Sequence, residues 1–197
     1  MAAAGAGGTT RTTSAKLISV IASFQEKLYF MDSTREVCAI DFSPTRPTLQ
    51  RFDVHGSAVR FPPGMYSGRH WLVESQDQLF LVRVCFVGFD PDNIGAIDVC
   101  SMDFSSSTRA RWLRVHDIGD AVFLLGDANM AASCPASALG LDANQIYSYF
   151  MRNLKEEDAD LCAYLTWNRT LWRLPESTTM TACFSTANLS GSYHLAS

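Results

Sequence analysis

From residue 17 to about residue 125 the apolar residues come in short runs, four to eight positions long, separated by clusters of Gly, Pro, Ser and Asp. Runs of that length, rich in Val, Ile, Phe, Leu and Tyr, predict β-strands joined by turns. Strands are expected at residues 17–22, 27–31, 37–42, 48–54, 70–74, 78–87, 96–104, 110–116, 121–125, 145–151 and 161–165. One short helix is expected over residues 134–140, with Pro135 in its first turn and Gly140 at its end. Residues 143–153 have some helical character, but Ile146, Tyr147, Tyr149 and Phe150 suit a strand.

The strands repeat. Cys38-Ala39-Ile40-Asp41-Phe42 returns as Cys100-Ser101-Met102-Asp103-Phe104, 62 positions later, and Cys162-Ala163-Tyr164 falls another 62 on. The first two copies are each followed by a polar turn and a further strand, and a pair of strands lies upstream of each. Three successive units of four strands can be drawn, beginning near residues 17, 70 and 121. Four short antiparallel strands in units of ~40–50 residues are the pattern of β-propeller blades. An immunoglobulin-like sandwich is the alternative, but it leaves the repeated strand-turn-strand motif unexplained. The expected fold is therefore all-β: a partial β-propeller of about three four-stranded antiparallel blades, with short helical turns in its loops. Its span is residues 17–165, between a low-complexity segment at 1–16 and a divergent tail at 166–197. Propellers close with about four to eight blades, so three leave open edges and a fragment is expected.

Composition narrows the function classes. Of 197 residues, 47% are apolar and 18% charged, which suits a folded chain with a sizeable core. Against 16 basic residues stand 20 acidic ones, for a net charge of −4, so no overall positive field draws the chain to nucleic acid. The longest apolar stretch, residues 79–89, is too short to span a bilayer as a helix and is interrupted by Arg83, so no membrane role is expected. Residues 1–16 carry Arg11 and Lys16, with no acid before Glu26. They read as a flexible tail or the flank of a longer parent, with an organellar transit peptide as the alternative. An intracellular location, cytoplasmic or nuclear, is expected.

Candidate chemistry is sparse. The cysteines at 38, 85, 100, 134, 162 and 183 include no CxxC pair and no Cys/His cluster at zinc spacing, and they read as buried reduced thiols. The sequons at Asn168 and Asn188 carry little weight without a secretory signal. His55, His70, His116 and His194 form no metal-binding pattern and read as loop or strand-end residues. Residues 90–95 resemble the start of a calcium loop but lack its later ligands, so a hairpin loop is expected. Asp41 and Asp103 each end a strand before a turn, where a carboxylate accepts backbone N–H bonds. The charge run at 155–160 reads as a solvated loop. Arg109, Arg111 and Arg114 lie along one strand, where a small anion or an acidic partner can bind; a solvated strand face with Trp112 turned inward is the preferred reading. No catalytic, metal or cofactor residue is assigned, and no cofactor is expected.

From Trp71 to Tyr147 a longer order of residues appears. It runs through Trp71-Leu72-Val73-Glu74-Ser75, Leu79-Phe80-Leu81-Val82, Met102-Asp103-Phe104, Arg111-Trp112-Leu113-Arg114-Val115, the segment from Ile118-Gly119-Asp120 to Leu125-Gly126, and Asn144-Gln145-Ile146-Tyr147. This resembles the plant family called domain of unknown function 295, also described as the KIB-type β-propeller domain and often joined to an N-terminal F-box. The likeness covers roughly residues 24–165. It implies a propeller fold and, as the family's commonest proposed role, substrate recognition for a cullin-type ubiquitin ligase; it brings no catalytic residues. The segment before Leu17 is too short for an F-box, so a ligase adaptor is expected only if that module is supplied elsewhere.

The family pattern stops after Tyr164. Codons for the following residues, read from the third base of the Leu165 codon, can restore an Asp-Leu ending to the third Cys motif, so the tail is expected to derive from a shifted reading frame. In the alternative, Trp167, Leu171, Trp172 and Leu174 belong to a real last strand. The function expected is a non-enzymatic module that binds a protein partner. An enzyme with a composite site across blades, or a truncated product without function, are the alternatives.

Overall fold

The computed structural model describes residues 18, 20–43, 45–56, 60–91, 93–104, 109–127, 130–151, 159–165 and 170–173. They form thirteen strands and one short helix. The first unit is a meander of β1 (Ile21–Phe24), β2 (Lys27–Ser33), β3 (Glu36–Asp41) and β4 (Thr48–Gly56). The second repeats it with β5 (Met65–Ser75), β6 (Gln78–Val87), β7 (Ile94–Asp103) and β8 (Arg109–Val115). The third holds β9 (Ala121–Leu125), β10 (Ala131–Pro135), α1 (Ala136–Leu139), β11 (Gln145–Met151), β12 (Ala159–Leu165) and β13 (Thr170–Arg173). The three units predicted from the repeat are present, and the fold is a partial β-propeller.

Stacking of the units explains their sequences. One core cluster packs Phe24, Tyr29, Val37, Ala39, Phe52 and Val54 of the first unit against Leu72, Leu79, Leu81, Met102 and Trp112 of the second. A second cluster packs the other face of the second unit, through Trp71, Phe80, Val82, Val99 and neighbours, against Phe123, Leu125 and Ile146 of the third. The middle unit is thus covered on both faces. That is why β6 is buried along eight consecutive residues and reads as a continuous apolar run rather than an alternation.

The stacking is head to tail. Val37 and Val99 occupy the same place in the repeat, 62 residues apart, and each faces the layer between its own unit and the next. Tyr29 and Phe80, each the third residue after a two-residue turn, do the same. Like faces therefore never meet.

Two joins depart from the expected antiparallel meanders. β4 and β8 pair in parallel, Asp53 opposite Arg109 through Gly56 opposite Trp112, so the first two units share one eight-stranded sheet folded over on the first cluster, with β1 lying against β5. In the third unit β9 and β11 also pair in parallel, Gln145 opposite Val122. A direct hairpin cannot make such a pair; the chain returns through β10 and α1.

Strand β10 is absent from the sequence-based expectation. Its residues, Ala-Ala-Ser-Cys-Pro, have low strand propensity, and it survives as the edge strand beside β9, where a terminal proline costs no ladder bond. Residues 134 and 135 thus belong to β10, and the helix is confined to Ala136–Leu139 and ended by Gly140 at φ 64°. β5 starts at Met65, five residues before the expected strand, because Gly68 breaks the apolar pattern there. β13 pairs antiparallel with β12 in the stretch the sequence reading left between a shifted frame and a last strand. Among the described residues no helix is long and apolar enough to cross a membrane.

Candidate functional site

On the face that the second unit turns to the first, residues line up in rows across the strands. Leu72, Leu81 and Cys100 form an apolar row; the next row is His70, Arg83 and Asp98. Arg114, paired with Cys100 across β7 and β8, reaches back to the charged row. The Arg83 guanidinium donates to Asp98 Oδ2 at 2.8 Å, and that of Arg114 lies 2.9 Å from Oδ1. The Arg83 and Asp98 side chains are 3% and 5% exposed, whereas Arg114 is 36% exposed. One carboxylate therefore holds two guanidiniums, each on its own oxygen.

A cover lies over this row. The Phe61 ring sits 5.3 Å from the Arg83 Cζ, in cation–π range, and meets the His70 ring edge-on at 6.2 Å. Burial, and then the neighbouring Arg83 charge, pull the His70 pKa down to about 4, so its imidazole is neutral. Gly68 makes the close packing feasible: a Cβ there would collide with the Val84 carbonyl and stand 3.0 Å from the Phe61 ring. Beside the cover is an open cavity of about 460 Å³, lined by Arg60, Phe61, Met65, Ile94, Asp98 and Arg114 among others. Gly95 forms part of its wall, where a Cβ would strike the Met65 methyl at 2.5 Å. The volume lies in the range of small-ligand sites.

The residues weighed from sequence are distributed differently. Arg109 and Arg111 are exposed, and Trp112 is buried as expected, with its indole N–H lacking an acceptor among the described residues. Arg114 leaves the other two arginines and joins Asp98 on the Trp112 face, because alternate strand residues point oppositely. His55 and His116 are exposed, His194 lies outside the described residues, and His70 stands mid-strand rather than at a strand end, since β5 begins earlier than its pattern suggests.

Asp41 plays the turn role expected of it, accepting from the Ser43 N–H at 2.9 Å and hydroxyl at 2.6 Å, and these bonds lower its pKa. Asp103 ends β7 likewise, and the turn after it lies outside the described residues. Residues 90 and 93 close the β6–β7 hairpin through backbone bonds. Cys38, Cys85 and Cys100 are buried, and burial above all pushes the Cys38 thiol up to about 11. Cys183, Asn168, Asn188 and the 155–158 part of the charge run lie outside the described residues, and Cys162 falls in β12. Among the described residues no three of His, Cys, Asp and Glu come together as a metal centre requires.

Sequence reasoning did not single out Arg60 or Asp98. A signal existed: Arg83 interrupts a strand otherwise buried throughout, and a buried guanidinium needs a buried carboxylate on a neighbouring strand.

The residues that carried the resemblance turn out to hold units together. The Trp71 indole N–H donates to the Gly126 carbonyl at 3.0 Å, joining the second unit to the third. Asn144 accepts from the Ile118 N–H, and Gly119 adopts φ 68° beside Asp117, which accepts its N–H. A family model described as the KIB1-4 beta-propeller matches residues 8–165, while no curated protein matches the chain. The chain belongs to the KIB1-4 beta-propeller family.

Proposed function

We propose, from that membership, that the chain is a non-catalytic protein-recognition module of the kind that selects substrates for a ubiquitin ligase, the ligase contact being supplied from another module. The observation that carries this reading is the Arg83–Asp98–Arg114 cluster beside an open cavity. Two guanidiniums locked on one carboxylate present a fixed shape and charge, whereas proton transfer at neutral pH wants a group titrating near 7. Propellers commonly use loops at the ends of their blades for binding, and the segment 60–64 is such a loop. The role implies an intracellular site of action.

Affinity capture of the tagged full chain from its native cells, followed by mass spectrometry, tests the reading. A client that binds the purified chain directly and is ubiquitinated in its presence is expected. Turnover of a small molecule by the purified chain, with no direct client, would overturn it in favour of an enzyme.

A further inference from the structure

The cavity has more to say about its occupant. Its charged groups are Arg60, Asp98 and Arg114 on the wall, with Arg83 bonded to Asp98. Two guanidiniums hold the one carboxylate and a third lines the same cavity, so positive charge is in surplus. Arg60 is exposed and has no carboxylate partner among the described residues, while Arg114 remains about one-third exposed after pairing. The rest of the wall is apolar: Phe61, Met65 and Ile94. A cation-rich end on an apolar trough suits a ligand with one negative charge next to hydrocarbon.

We infer that this cavity binds an Asp or Glu side chain within an apolar segment of a partner protein, with the Arg60 and Arg114 guanidiniums receiving its carboxylate. The inference rests on the recognition role proposed above and names the chemistry it selects. Guanidinium forks match a carboxylate plane. A phosphate also matches guanidinium forks, but the apolar wall of Phe61, Met65 and Ile94 favours a carboxylate carried on hydrocarbon, and phosphoserine is the control that separates the two. A chain-terminal carboxylate is ordinarily caught by backbone N–H groups, whereas the charged donors on this cavity wall are the guanidiniums of Arg60 and Arg114.

The test is a display library of random linear peptides selected on the purified full chain. Retained peptides are resynthesised with the acid changed to its amide, with an amidated C-terminus, and with phosphoserine in place of the acid. Asp or Glu beside apolar residues is expected in the retained set. Changing the acid to its amide weakens binding about tenfold or more, and amidating the C-terminus leaves it unchanged. In the protein, Arg60→Glu weakens binding to a similar extent, Arg60→Lys, which keeps the charge but loses the fork, weakens it less, and both fold normally by circular dichroism because Arg60 is exposed. Binding that is indifferent to the acid or to Arg60→Glu, that needs the free C-terminus, or that improves with phosphoserine overturns the inference, as does an empty selection. A direct client found by affinity capture that ignores Arg60→Glu would leave the recognition role standing and remove only this site.

Discussion

His70 sits half-buried beside Arg83 under the Phe61 ring, and its pKa of about 4 lies below the ordinary 6.5. Between those values the unfolded chain binds a proton that the folded chain refuses. Stability is complete above about pH 6.5 and falls as the pH drops towards 4, by roughly 2–3 kcal/mol over the whole interval. Urea midpoints measured across that range should show the loss, and His70→Gln should flatten this component of the profile. Asp98 matters for a different reason. Asp98→Asn leaves two guanidiniums side by side without their anion, one of them buried, and should cost about 3 kcal/mol in urea unfolding. Adding Arg83→Met should recover part of that loss, because it removes the buried charge that Asp98→Asn strands. At this scale the sequence was only partly legible. Trp112 announced its burial by standing in an alternating strand, but Arg114 could be matched to Asp98 only once the register of β7 against β8 was known.

Elements were easier to read where burial or turns leave a local mark. β6, β9 and β11 occupy the residues expected of them, since each is a dense apolar run ended by polar residues. β10 could not be read: its strand character comes from the open edge of β9 and not from its own side chains. The hairpin turns store a small strain. Gln25 and Glu26, between β1 and β2, have φ of 47° and 60°, a conformation that favours Asn-Gly. Replacing the pair by Gln25→Asn and Glu26→Gly should raise stability by about 1 kcal/mol, seen as a higher urea midpoint with an unchanged slope.

The molecule as a whole was legible through its repeat, because the 62-residue spacing reflects a real equivalence of β3 and β7. The parallel joins were not, since they depend on which sheet edges meet after the units stack. Stacking also predicts where damage spreads. Phe123 is fully buried and packs on Phe80, 5.2 Å between ring centres, across the layer joining the second and third units. Phe123→Ala should cost about 3–5 kcal/mol, with the loss of near-ultraviolet dichroism and of hydrogen-exchange protection reaching β5 and β6 as well as β9. Head-to-tail order has one more consequence. Because the front of each unit is shaped for the back of the next, an extra copy of the middle unit inserted in tandem would find a fitting surface on either side, so gene duplication can lengthen such a stack without first inventing a new interface.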